Sequence, residues 1–174
     1  MKSIRVLFLD FDGVLNSSQY FYENYGRLDG RSIAAYDQRQ LDPAAIARLN
    51  RVVEATSALI VVTSAWRIAM GKTPRSALRG LLAERGFVGQ VLDVTPNLRN
   101  GMDGRHLEIL KWANDAQEER DFDITSYAIV DDNYEAGLGN APYFVCTEFA
   151  TGLQDEHADK LIEILSNDRH GSAS

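Results

Sequence analysis

Four stretches of this chain are apolar without alternation: Ile4–Leu9, Ala58–Val62, Tyr127–Val130 and Tyr143–Val145. A strand with one face in water alternates polar and apolar residues. Runs like these, rich in Val and Ile, fit strands buried on both faces of a parallel sheet. A weaker strand is expected at Gln90–Val94. Parallel strands need crossover connections, and the intervening segments carry helix signals. Asp42-Pro43 supplies an N-cap and a first-turn proline, followed by Ile46, Leu49, Val52 and Val53 at helical spacing. Thr73-Pro74 repeats that start before Ala77, Leu78, Leu81 and Leu82, and Gly86 offers a stop. Further helices are expected over Arg105–Gln117 and Asp155–Leu165. Strands alternating with helices predict an α/β fold with a mostly parallel sheet.

The 174 residues fit one domain, taken as residues 1–166, with a frayed polar tail over 167–174. No repeat, low-complexity block or linker divides the chain. One cysteine forms no internal disulfide and points to a reducing, cytoplasmic setting. The apolar runs are far shorter than the ~20 residues that span a bilayer, and the first is too short and early for a signal peptide. No membrane role is expected.

In open α/β sheets ligands bind beyond the carboxyl ends of the strands. Asp10-Phe11-Asp12-Gly13 follows the first run, Thr63-Ser64 the second, and Asp131-Asp132 the run ending at Val130. Fold geometry gathers these at one rim. Crowded carboxylates repel one another unless a cation neutralises them. An all-oxygen set without His or Cys suits Mg²⁺, which completes its shell with water and phosphate oxygens. A phosphorylated substrate is the natural companion. An Asp there can serve as nucleophile, and a second carboxylate two residues on can move the protons. Gly13 lets the backbone turn and approach a ligand closely.

These segments resemble a known family. FLDFDGVLN is similar to the first motif of the haloacid dehalogenase (HAD) superfamily, DxDGxL after a hydrophobic strand. LIVVTSAWR resembles its second motif and YAIVDDN its acidic fourth. The TS-x-WR element, the Arg105…Glu108-Ile109…Trp112 helix and Thr151-Gly152-Leu153 resemble one branch, the HAD-type domain of Swiss Army Knife RNA repair-like proteins. The resemblance implies a three-layer, Rossmann-like fold with a minimal cap, and a Mg²⁺-dependent phosphohydrolase. It implies Asp10 as nucleophile and metal ligand, and Asp12 as general acid/base with its carbonyl on the metal. Thr63 would bind the transferring phosphoryl group beside Ser64, and Asp131 with Asp132 would complete the metal site. Arg105 would supply the basic third-motif charge, with Lys111 as the alternative. Each element also has a plainer reading: Asp131-Asp132-Asn133 as a turn, Arg105 as a solvated helix residue.

Residues 17–41 are too few for a cap with its own core. Their Tyr, Phe and Arg residues read as a flap, or as packing over the sheet edge. A small cap leaves the site open to a small phosphate ester or a nucleic-acid end. Arg67, Lys72, Arg75 and Arg79 follow the second motif, and Arg67 is the candidate for flanking phosphates. Trp66 and Trp112 read as packing residues, and Cys146 as a buried, inert thiol. His106, His157 and His170 share no ligand spacing.

The net charge of −7 argues against strong non-specific binding to nucleic acid. Setting the four rim aspartates aside leaves 21 acids against 18 bases, so a phosphate presented at an end remains compatible. A phosphoacceptor signalling or phosphate-binding module is the rival reading. Its acidic pair belongs at the first strand, whereas here the adjacent pair comes late.

Overall fold

The computed structural model describes residues 1–98 and 104–168. Strand β1 (Lys2–Leu9) lies at the centre of a sheet with β2 (Leu59–Val62), β3 (Val91–Val94), β4 (Phe122–Asp131) and β5 (Phe144–Cys146). All five are parallel, in the order β3-β2-β1-β4-β5. The connecting helices are α1 (Ser18–Tyr25), α2 (Pro43–Thr56), α3 (Trp66–Ala69), α4 (Pro74–Glu84), α5 (Arg105–Glu119) and α6 (Asp155–Ser166). No helix among the described residues is long and apolar enough to cross a membrane.

The missing alternation in the strands has a direct cause. Leu7 and Leu9 of β1 pack on one side with Ile46 and Leu49 of α2, Leu78 of α4 and Leu161 of α6. Val6 and Phe8 pack on the other with Ile109, Trp112 and Ala116 of α5. Both faces are covered, so every position of β1's second half is apolar. The result is three layers, helix–sheet–helix, as expected.

Local signals act where they were expected. Asp42 Oδ1 accepts from the Ala44 N–H at 2.8 Å ahead of Pro43, and Gly86 takes a left-handed turn (φ +94°) beyond α4. Two differences stand out. β4 begins five residues before the apolar run at Tyr127, because its first half, FDITS, is partly exposed and carries polar side chains. Residues 17–41 contain α1 rather than only loop. Ser17 Oγ accepts from the Tyr20 N–H at its start, and Gly26 closes it in the left-handed region. Tyr20 and Phe21 are buried, and the Tyr20 hydroxyl donates to Arg39 O and accepts from Arg85 Nη2, each at 2.8 Å.

Asp168, expected in a frayed tail, instead pairs with Arg5 (Nε–Oδ1 3.1 Å). The remaining tail, including His170, lies outside the described residues.

Candidate active site

Register builds the site. Leu9 stands opposite both Val62 and Val130, so the next residue on each strand falls on one row at the carboxyl edge. That row is Thr63, Asp10 and Asp131. Backbone bonds carry it past the strand ends, with Asp10 N–H to Val130 O at 3.1 Å and Thr63 N–H to Leu9 O at 2.9 Å. Thr63 and Ser64 are buried there, and Ser64 Oγ accepts from the Trp66 N–H at 3.3 Å.

Asp10, Asp131 and Asp132 each place a carboxylate oxygen within 4.8 Å of the others'. Arg105, the first residue of α5, reaches into them: Nη1 lies 2.6 Å from Asp131 Oδ2 and 3.1 Å from Asp10 Oδ2. Asp131 Oδ1 also accepts from the Asn133 N–H at 2.9 Å. The DD-N turn and the acidic site are therefore one structure, and the two readings of this segment do not compete. Gly13 (φ +75°) makes room, since a Cβ there would stand 2.4 Å from Asp132 Oδ2. Its carbonyl accepts from Thr147 Oγ1 at 2.7 Å, tying the loop to the end of β5.

One guanidinium against three carboxylates leaves a deficit of positive charge. Burial, then repulsion from Asp131, raises the Asp10 carboxyl well above the ordinary range, with Arg105 opposing. Burial and Asp131 likewise lift Asp132 to about 6. Burial draws the Arg105 guanidinium's pKa down, and Asp10 with Asp131 more than offset that, leaving it raised. A crowded all-oxygen donor set in which the Asp10 and Asp132 carboxyls are both pushed up is suited to a hard divalent cation.

The raised Asp132 carboxyl predicts a pH effect. A group that binds its proton more tightly folded than unfolded stabilises fully below its unfolded pKa, near 3.8, and loses that contribution as pH rises through about 6. In EDTA, Asp132→Asn is expected to raise stability at pH 7.5 by about 1 kcal/mol, discounted for its partial solvent contact. At pH 4 the two proteins should melt alike. Denaturant titrations at both pH values check this, and an equal effect at both would contradict it.

Among known proteins, the model of the family described as the HAD domain in Swiss Army Knife RNA repair proteins matches residues 6–158. The chain belongs to this family. No curated protein and no solved structure matches it. Membership brings phosphohydrolase-type function and a phosphorylated substrate, and the three-layer parallel fold agrees with it.

Within this HAD domain not every candidate gathers at the rim. Lys111 does not, because it pairs with Asp115 on the exposed face of α5 (2.9 Å). Asp12 stands apart from the three-carboxylate group, its carboxylate turned to Trp66 Nε1 (3.1 Å) and Asn16 Nδ2 (2.9 Å). The expectation that Arg67 contacts substrate phosphate is corrected. Its side chain is buried, and all five guanidinium N–H groups have protein acceptors. Nε donates to Thr95 O (2.9 Å), Nη1 to Thr63 O (2.6 Å) and Ser64 O (2.9 Å), and Nη2 to Pro96 O (3.1 Å) and Glu108 Oε2 (2.5 Å). Two side chains of the basic segment after it also turn to backbone. Arg79 donates to Val91 O at 3.0 Å and Arg75 to Leu92 O at 3.4 Å, covering carbonyls of the edge strand β3.

Cys146 is exposed rather than buried, because β5 ends there beside the acidic rim. Partial burial, then Asp131, Asp132 and Glu148, push its thiol pKa up, which keeps it a poor nucleophile. Asn16, Trp66 and Thr147 bond to site residues, and Glu108 holds the Arg67 that ties down the Thr63 and Ser64 carbonyls; none was singled out for the site in the sequence. Asn16 had a signal, ending the FLDFDGVLN segment three residues after the glycine.

Proposed function

We propose that this HAD domain is a Mg²⁺-dependent phosphohydrolase working through an aspartyl-phosphate on Asp10. The observation that carries it is the buried Asp10 carboxylate facing Arg105 inside a three-carboxylate group. Asp10, Asp131 and Asp132, with the carbonyl of Asp12, would hold Mg²⁺. The cation would supply charge neutralisation and polarise the phosphoryl oxygens.

The residues then divide the work. Asp10 attacks phosphorus in line as the bond to the leaving oxygen breaks, and Asp12 gives that oxygen a proton. Asp12 next takes a proton from water as the water attacks the aspartyl-phosphate, releasing inorganic phosphate and restoring Asp10. Arg105 and the Thr63 hydroxyl stabilise the phosphoryl oxygens, with Ser64 and Gly13 lining the same floor. Residues 17–41 form a flap of one short α-helix and two 3-10 turns, too small for a core of its own. They leave room for a bulky leaving group, and the family's association with RNA repair favours a nucleotide or nucleic-acid end phosphate.

The test is a panel of phosphate esters with Mg²⁺, including 3′- and 5′-phosphorylated RNA and DNA ends and 4-nitrophenyl phosphate. The expected result is phosphate release that EDTA abolishes, fastest on the nucleic-acid ends. No release from any ester overturns the reading. Release no faster from ends than from 4-nitrophenyl phosphate removes the substrate assignment alone.

A further inference from the structure

The carboxylate of Asp12 is held by groups that hydrolysis as written above does not use. Asp12 is exposed, and an exposed aspartate ordinarily samples several rotamers. Here both oxygens are engaged. The Trp66 indole N–H donates across the pair, 3.1 Å to Oδ2 and 3.2 Å to Oδ1, and Asn16 Nδ2 donates to Oδ1 at 2.9 Å.

Both donors are themselves immobilised. Trp66 is 2% exposed, with its ring edge-on to Phe11 (centroids 5.3 Å apart) and to Tyr36 of the flap (5.5 Å). Asn16 is 1% exposed, and its Oδ1 accepts from the Gly13 N–H at 2.9 Å. That bond leaves Nδ2 as the end of the amide facing Asp12, which settles the donor's identity. Packing alone would be served by a phenyl ring at position 66. An indole brings an N–H that must find an acceptor when buried, and the acceptor it finds is the one carboxylate that must move protons. A donor shared between two oxygens can serve either one, so the carboxyl stays seated with or without its proton.

We infer that Trp66 and Asn16 are positioning residues, holding the Asp12 carboxyl in the orientation from which it reaches the leaving oxygen. The inference rests on the phosphohydrolase reading above. Trp66 opens α3 just beyond β2 and Asn16 lies in the loop after β1, so two separate strand ends set the acid/base. Tyr36 ties the same indole to the flap.

The test compares two esters that need the acid to different degrees. Nitrophenolate leaves with little help, whereas the ethoxide of ethyl phosphate must be protonated as the P–O bond breaks. Trp66→Phe keeps the ring packing and removes the N–H. It is expected to lower the single-turnover rate of leaving-group release, which precedes the water attack common to both esters, by about 10-fold to 100-fold on ethyl phosphate and by less than about 3-fold on 4-nitrophenyl phosphate. In an Asp12→Asn background it should cause no further loss on either ester. Asn16→Asp keeps an acceptor for Gly13 and removes the donor, and should give the same split if Trp66→Phe does not fold. Equal losses on both esters, or a full additional loss in the Asp12→Asn background, would reduce Trp66 to a packing residue and overturn the inference. A wild-type protein that releases phosphate from no ester of the panel above, nucleic-acid ends included, overturns the phosphohydrolase reading and this inference with it.

Discussion

Asp10→Asn is expected to abolish turnover, by about three orders of magnitude or more, while leaving the protein folded. The amide matches the carboxylate in shape and cannot attack phosphorus. Arg105 keeps its 2.6 Å contact to Asp131, so the first turn of α5 stays anchored. The substitution also relieves repulsion, because burial and Asp131 already raise the Asp10 carboxyl. The melting temperature in EDTA should therefore hold or rise at neutral pH. Phosphate release measured beside a thermal melt makes the check. An acid-quenched, substrate-treated wild-type protein should carry one phosphoryl group by mass spectrometry, absent in the variant. Turnover unchanged in a well-folded Asp10→Asn protein would end the phospho-enzyme mechanism.

The rim was legible because it depends on backbone alone. Apolar runs locate the strands, a parallel register aligns their ends, and the residue after each run must fall at the carboxyl edge. Thr63, Asp10 and Asp131 follow from that without any side-chain knowledge. The reach of Arg105 was a matter of spacing: the first residue of α5 lies near the sheet's carboxyl edge, whereas Lys111 sits on the helix's exposed face.

What stayed hidden depends on where long side chains turn. Arg67 lies four residues past Thr63, and nothing local says whether its guanidinium faces solvent or core. The decision is made by Glu108, 41 positions away, and by carbonyls at two strand ends. The Trp66–Asp12 bond spans 54 positions and is equally invisible to periodicity. α1 was missed because SQYFYENY is rich in aromatics that favour strands; a cap, a left-handed glycine and burial of Tyr20 and Phe21 override that preference.

Arg67→Met is expected to cost about 3–5 kcal/mol, lowering the melting temperature by roughly 10 °C, because it strands Glu108 as a buried unpaired charge. Glu108 is 3% exposed, and among the described residues its other oxygen accepts a neutral donor, the Leu98 N–H at 3.0 Å. The four carbonyls at Thr63, Ser64, Thr95 and Pro96 lose their donor together. Glu108→Gln in the same chain should recover part of the loss, since the amide keeps a partner for Leu98 without a charge. The effect on function should travel through position rather than binding. Thr63 and Ser64 loosen with their tether, so kcat falls in proportion to disorder at that strand end, with KM for a phosphate ester little changed. If Arg67 instead met substrate phosphate, the pattern would invert: KM would rise and the melting temperature would hold. Thermal melts of the single and double variants, read beside kcat and KM on one ester, separate the two. A guanidinium with all five donors spent on its own protein has none left for a substrate, so the stability loss is the expected result.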